Sequence, residues 1–269
     1  MLDSISTTDV NDHYVAEHLV ENFERILQSW GFENGLLEPH TLAPIDQFHI
    51  GGEAATLALA NLAGIDATSR ILDVGGGYGG PARTLAATYG CSIVVLDLTA
   101  AYCRLGEMLT ERCGLSDRVS FRHGNALAMD LADASFDFVW TQHSSMNIAD
   151  KSQLYTEIYR VLRPGGRLAL YEIFAGNQTP IHYPVPWAHD ASISFLSSPE
   201  EIHMLLTDIG FRTVQWEDLT DIVVDAQGRA PAPKLQLVLG EDFVERGRNM
   251  MRNLAKHRTS LVRAVFERP

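Results

Sequence analysis

From Arg70 onward the chain alternates between short apolar, often β-branched runs and stretches whose apolar residues recur at helical spacing. The runs cover residues 70–74, 92–98, 118–123, 136–141, 167–174 and 211–216. Strand, helix, strand at this spacing predicts a mostly parallel sheet with helices on both faces. The punctuation agrees. Pro81 follows Gly79 and Gly80 where a helix should start, and proline suits the first helical turn. Leu85, Ala86 and Tyr89 supply that helix with an apolar face, and Gly90 ends it. Thr99 is placed to cap the next helix, which Gly114 ends. Leu154, Ile158, Val161 and Leu162 mark a helix that Pro164 and Gly165 close. Ser198-Pro199-Glu200-Glu201 is a capping box, and Gly210 closes the helix it opens.

Three segments lie outside the alternation. Residues 9–30 read as an amphipathic helix with Val15, Leu19, Phe23, Ile26 and Leu27 on one side. Residues 52–63 read as a second helix. Residues 175–197, rich in Pro, His and aromatics, read as a long loop over an active site. Near the C-terminus, Ala230-Pro231-Ala232-Pro233 reads as a linker, residues 241–256 as a helix and 260–267 as a final strand. The predicted organisation is an N-terminal helical cap over residues 1–66 and an α/β core over 67–269.

Composition narrows the function. With 269 residues, 46% hydrophobic and 20% charged, the chain has the profile of an ordinary globular protein. Its net charge of −13 predicts a surface that repels nucleic acid and anionic membrane. Cys91, Cys103 and Cys113 form no close pair and no metal-ligand spacing. The N-terminal residues lack the basic and apolar regions of a signal peptide, and no stretch is apolar for long enough to span a membrane. A cytoplasmic location, without nucleic-acid or membrane partners, is the expectation.

The chemistry centres on Asp73-Val74-Gly75-Gly76-Gly77-Tyr78-Gly79-Gly80, between the first strand and a helix. Gly75, Gly77 and Gly80 satisfy the G-x-G-x-x-G dinucleotide pattern, and Asp97 follows about 20 residues later. A NAD-dependent oxidoreductase is therefore one reading. Against it, Asp73 stands two residues before the first glycine, where its carboxylate would repel a pyrophosphate and attract a cation. Further motifs come next in order: Gly124-Asn125-Ala126, Phe136-Asp137-Phe138-Val139 and Leu162-Arg163-Pro164-Gly165-Gly166.

Five motifs in this order resemble the class I S-adenosylmethionine (SAM)-dependent methyltransferases over about residues 68–218. His49-Ile50-Gly51-Gly52, Gln142 and Pro184-Val185-Pro186-Trp187 extend the resemblance to small-molecule members, of the sarcosine/dimethylglycine N-methyltransferase and natural-product O-methyltransferase kind. The resemblance implies a Rossmann-like, seven-stranded, mostly parallel sheet with an N-terminal helical lid and a C-terminal antiparallel strand. It implies SAM as cofactor, S-adenosylhomocysteine as product, a small-molecule acceptor, and a monomer or homodimer. By the same resemblance, Gly75 and Gly77 line the methionyl and ribose portion, Asp73 supports the methionyl ammonium and Asp97 accepts from the ribose hydroxyls. Leu98, Asn125 and Ala126 meet the adenine, Gln142 meets the methionyl end, and His49 and Gly52 close the pocket from the N-terminal side. Two positions depart from the family pattern. Asn125 stands where Asp is frequent. His143 stands where the glycine-derived N-methyltransferases carry an acid, which argues against a betaine-pathway acceptor.

Methyl transfer from cationic sulfur is an in-line displacement, so the protein chiefly aligns nucleophile, methyl and leaving group. A hydroxyl acceptor also needs a base, and His143, beside the expected methyl donor, is the candidate, with a pKa able to sit near neutrality. Tyr14, Tyr183, Trp187 and His143 are the candidate acceptor contacts. His182, His189 and Asp190 show no ligand spacing within a defined element, so no metal is expected. Trp140, Met250 and Met251 read as packing, and Glu107 and Glu111 as a solvated helix face. A non-catalytic SAM-binding protein remains the third reading.

Overall fold

The computed structural model describes residues 19–226 and 234–269. Its strands are β1 (Arg70–Val74), β2 (Ser92–Asp97), β3 (Val119–His123), β4 (Phe136–Gln142), β5 (Leu162–Ala175), β6 (Arg212–Asp218) and β7 (Thr259–Glu267). Its α-helices are α1 (Leu19–Ser29), α2 (Pro39–Asp46), α3 (Gly52–Ala63), α4 (Gly80–Tyr89), α5 (Ala100–Arg112), α6 (Lys151–Val161), α7 (Pro199–Ile209), α8 (Thr220–Ala226), α9 (Gln236–Leu239) and α10 (Asp242–Ala255).

The seven strands form one sheet in the order β3-β2-β1-β4-β5-β7-β6. β1 to β5 pair in parallel, whereas β7 runs antiparallel between β5 and β6. This is the predicted Rossmann-like sheet with its C-terminal antiparallel strand. The strand order reverses between β1 and β4, and in open α/β sheets ligands bind in the crevice at the carboxyl ends there.

Side chains alternate across the strands, and both sheet faces are covered. Ile71, Ile93, Val95 and Trp140 pack with Leu59 of α3 and Leu85 of α4. Leu72, Val139 and Leu168 pack on the opposite face with Leu154 and Ile158 of α6 and Ile202 of α7. A third cluster joins Leu19, Phe23 and Leu27 of α1 to Leu42 and Ile45 of α2, Tyr78, and Leu105 and Leu109 of α5. The predicted apolar stripe of the N-terminal helix is thus buried where it is described; Val15 and Tyr14 lie outside the described residues, as does the predicted 230–233 linker.

Several local details differ from the sequence reading. The patterning assigns residues 39–46 no element, yet Pro39 fits the first turn of α2 and Leu42 and Ile45 are fully buried. Helices α8 and α9 are too short for periodicity to reveal. Thr99 takes the N-cap position of α5 without a side-chain capping bond. Pro164 and Gly165 do not end α6, which stops at Val161. They lie inside β5, where Leu162 pairs with Phe136 and a register shift between Phe136 and Phe138 accommodates them. The capping box of α7 forms as expected: Glu201 N–H donates to Ser198 Oγ (3.2 Å), and Ser198 N–H to Glu201 Oε2 (2.8 Å).

The 175–197 segment is clamped rather than loosely draped. Val185, Trp187 and Ala188 are buried. Asn249 Nδ2 donates to Pro184 O (3.0 Å), and Asn253 exchanges hydrogen bonds with the backbone of His182 (both 2.9 Å).

A buried ion pair ties α2 to α4. Arg83 Nη2 donates to Asp46 Oδ2 at 2.9 Å, with both side chains essentially inaccessible to water. Removing one partner of such a pair leaves an uncompensated charge. Asp46→Ala is expected to lower the unfolding free energy by about 3–5 kcal/mol, measured as a shift of the urea midpoint. Arg83→Met should cost less, because burial already raises the Asp46 pKa and the carboxyl left behind can take up a proton, whereas a guanidinium cannot shed one.

Candidate active site

A cavity of about 1400 Å3 opens at the carboxyl ends of β1, β2 and β4. Small-molecule pockets run about 300–1,000 Å3, so this one has room for two ligands. One half is built on the glycine loop. Gly75 N–H donates to Leu96 O (2.7 Å) and Gly77 N–H to Asp97 Oδ2 (2.9 Å), which locks the loop to the end of β2. The Asp73 carboxylate lies directly beneath. A Cβ at Gly76 would fall 2.4 Å from Asp73 Oδ2, so only glycine fits there. Gly76 is not one of the three glycines of the dinucleotide pattern; its requirement comes from the carboxylate. At Gly75, where φ is +70°, a Cβ would fall 2.6 Å from Ser144 Cβ, which packs the loop against the turn after β4.

Asp73 is 2% exposed and its Oδ2 has no hydrogen-bond partner. Burial, reinforced by the neighbouring Asp97 charge, pushes its pKa up to about 7. Asp97, also raised by burial, keeps both oxygens on the loop backbone, since Oδ1 accepts from Thr99 N–H (2.8 Å). The Thr99 side chain bonds the same carboxylate. Asn125 Oδ1 accepts from Leu127 N–H (2.9 Å) and shapes the turn that, with Leu98 and Ala126, walls the adenine end.

Gln142 ends β4 on the cavity. Its Oε1 accepts from Trp140 Nε1 (3.0 Å), and Thr56 Oγ1 lies 3.3 Å away, while its buried Nε2 has no partner. That leaves an amide donor for an anionic group. Thr56 Oγ1 also lies 3.2 Å from His49 Nε2. His49 lines the cavity, and its Nε2 sits 2.9 Å from Gly52 O, so Nε2–H donates and the ring is neutral. Burial pulls its pKa down to about 4. Gly52 itself does not line the cavity; it acts through that carbonyl.

His143 stands next to Gln142 with φ +51°, a left-handed conformation uncommon outside glycine. Its N–H donates to Tyr171 O (2.9 Å), and its ring stacks on Tyr171 at 5.2 Å between centroids. Nε2 is buried without a partner. Burial, then the nearby His49, holds its pKa well below the usual imidazole value. The expectation of a pKa near neutrality is thereby corrected: the ring is neutral at physiological pH. The turn it begins rests on Glu172, a fully buried residue of β5 whose carboxylate accepts from Ser144 N–H (3.2 Å) and Ser145 N–H (3.2 Å).

The other half of the cavity matches the sequence expectation only in part. Trp187 lines it, with Nε1 donating to Ser194 Oγ (2.9 Å). Tyr183 does not; it packs against the core instead. Tyr14 lies outside the described residues. Leu239, Phe243, Arg246 and Met250 contribute a wall, of which the sequence patterning singles out only Met250, as packing. Lys151 also lines it, its Nζ donating to Ser145 O (2.8 Å), Phe195 O (2.7 Å) and Ile148 O. No local signal marks these residues, because what unites them is tertiary. Among the described residues, no three of His, Cys, Asp and Glu gather as a metal site.

The donor set fits a cationic, phosphate-free nucleoside. Two buried carboxylates flank the glycine loop, an unpartnered amide faces the neighbouring strand end, and the two cations lining the cavity, Lys151 and Arg246, stand on α6 and α10 rather than on the loop.

Known proteins point the same way. A family model described as a methyltransferase domain matches residues 72–170. The glycine/sarcosine/dimethylglycine N-methyltransferase of Actinopolyspora halophila is 30% identical over 186 residues, 69% of this chain and 33% of that protein. The sterol 24-C-methyltransferase of Eremothecium gossypii is 41% identical over 114 residues, 42% of this chain and 31% of that protein. The chain thus spans about a third of these two relatives. Among solved structures, a Haemonchus contortus phosphoethanolamine N-methyltransferase 2 in complex with SAM superposes with a TM-score of 0.73 at 21% identity, covering 99% of this chain and 61% of that one. The geranyl diphosphate C-methyltransferase of Streptomyces coelicolor A3(2) superposes with a TM-score of 0.70 at 16% identity over 100% of both chains. At such identities these two likenesses speak to the fold alone. With the family's motifs in order on this sheet, residues 72–170 carry a methyltransferase domain of the class I SAM-dependent kind.

Proposed function

We propose that this protein transfers the methyl group of SAM to a small-molecule acceptor held beside His143. The observation that carries the reading is the unpartnered Asp73 carboxylate beneath Gly76, at one end of a cavity of about 1400 Å3. In this reading Asp97 takes the ribose hydroxyls, Gln142 Nε2 the methionyl carboxylate, and Leu98, Asn125 and Ala126 the adenine. Asp73 offsets the positive charge of the methionyl ammonium. The predicted cap of residues 1–66, described from residue 19 onward, closes this end in its described part. The net charge of −13 supports a metabolite rather than a nucleic acid as acceptor. Three free thiols accord with a reducing, cytoplasmic setting, and the chain acts as a monomer or homodimer.

His143, whose ring lines the cavity, serves as proton acceptor. A weak base is adequate for this task. As a neutral hydroxyl attacks the methyl group, its oxygen becomes an oxonium whose proton is strongly acidic, and even an imidazole of lowered pKa can take it. The electron pair of the old methyl–sulfur bond returns to sulfur, which leaves as the neutral thioether.

Equilibrium binding of SAM against NADH is the direct test. SAM should bind and NADH should not; NADH binding without SAM binding would favour the oxidoreductase reading. His143→Asn, which keeps a residue tolerant of positive φ, should lower kcat on a hydroxyl acceptor by about 10²–10⁴-fold. S-adenosylhomocysteine affinity should stay within about threefold. Unchanged turnover would remove the base assignment.

The Asp73 pKa of about 7 gives a second test. A cationic ligand favours the ionised carboxylate, so binding releases a proton and tightens as pH rises. The SAM dissociation constant should fall by up to about tenfold between pH 6 and 8 by proton linkage, and Asp73→Asn should bind more weakly with no such dependence. Calorimetry in buffers of different ionisation heat reads both. A flat profile in the native protein would remove the role given to Asp73.

A further inference from the structure

The acceptor half of the cavity carries a chemistry of its own. Its wall is made by Trp187, Phe195, Leu239, Phe243 and Met250, brought together from the 175–197 segment, α9 and α10. Trp187 is buried, but the other four are only partly buried, so apolar surface remains open to the cavity. Leaving it in water is unfavourable by about 25 cal/mol per Å2, and an apolar ligand would recover that energy.

The charged groups among the described residues on this side are already engaged within the chain. Arg246 Nη2 bonds Asp242 Oδ2 (2.5 Å) and His189 Nε2 (2.9 Å). Lys151 Nζ is saturated by its three carbonyls. Asp150 caps α6 by accepting from Gln153 N–H (2.9 Å). An amino-acid-like zwitterion entering here would have to compete with these internal bonds for its partners, and desolvating unpaired charge is costly. Volume agrees, since a space of about 1400 Å3 exceeds a single-ligand pocket of about 300–1,000 Å3.

Building on the methyltransferase reading, we propose that the acceptor is an uncharged, predominantly apolar molecule with an extended or ring-fused skeleton. Its nucleophilic atom sits at His143 and its body lies against Phe195, Leu239, Phe243 and Met250. The wall sets this chain apart from an enzyme for glycine-derived amines, even though an N-methyltransferase of that class is among its sequence relatives.

The test is a titration of the full chain, saturated with S-adenosylhomocysteine, with 4-alkylphenols from ethyl to octyl, and with dimethylglycine in parallel. Each added methylene should tighten binding about threefold to fourfold, as expected for a buried methylene, over at least the first four additions. Dimethylglycine should not compete. Phe243→Asp should flatten the chain-length dependence while keeping S-adenosylhomocysteine affinity within about threefold, and Leu239→Asp repeats the measurement at a second wall position. Affinity independent of chain length, or a slope unaltered in both variants, would overturn the proposal, as would dimethylglycine binding more tightly than every alkylphenol. Failure of S-adenosylhomocysteine to bind would instead count against the methyltransferase reading. The alkylphenol series run on the chain alone would still report on the wall.

Discussion

A carboxylate buried under a glycine governs the cofactor half of this molecule. Asp73 sits at the end of a central strand, 2% exposed, with one oxygen unpartnered. An isolated anion in that place is unfavourable, and the pKa of about 7 expresses the strain as a half-retained proton. The backbone above must come close without a side chain, hence Gly76. It must also turn sharply, hence the positive φ at Gly75 and Gly77. The second carboxylate, Asp97, then holds the loop in place through the Gly77 amide. Loop shape and glycine placement both answer to one buried carboxylate.

The strand order brings a second device alongside the first. Reversal between β1 and β4 sets Gln142 and His143 across the crevice from the glycine loop. The chain after β4 cannot relax into regular structure there, because His143 holds φ +51°. Glu172 stabilises the turn by accepting the Ser144 and Ser145 amides, and Lys151 gathers the carbonyls of Ser145, Ile148 and Phe195. Burial lowers the Lys151 pKa to about 8, while the Glu172 charge opposes that shift. Buried groups of opposite sign therefore pin the turn that follows His143 from its amide and carbonyl sides, and rigid support of this kind is what alignment of an in-line displacement needs.

The legibility of the sequence depends on the range of the interactions. The β1–loop–α4 unit is readable because Asp73, the glycines and Pro81 act within a few residues of one another. The capping box at Ser198 and the stripe Leu19, Phe23 and Leu27 are readable for the same reason. Glu172 is not, since it meets Ser144 from 28 residues away, and neither is Asp46, 37 residues from Arg83. His143 is marked by its place after β4, but its neutrality is not, because burial beside His49 and Tyr171 decides that. Tyr183 and Trp187 share one aromatic-rich segment, yet one faces the core and the other the cavity; the clamp by Asn249 and Asn253 of α10 settles which, and no local pattern records it.

The same contrast explains why sequence resemblance carries the cofactor further than the acceptor. The matched family domain ends at residue 170, before the 175–197 segment and α10 begin. Up to that residue the site is a backbone cradle, in which amides and two carboxylates do the recognising and side-chain variation is restricted by close packing. The other side, built largely from later residues, is a wall of side chains on elements joined to the core by apolar packing of Val185, Trp187 and Leu254 and by polar clamps. Substituting Phe243 or Met250 alters the wall without disturbing the sheet, so acceptor choice can drift while the cradle stays fixed. Relatives whose names span amine, sterol and isoprenoid methylation are what such a division of labour produces.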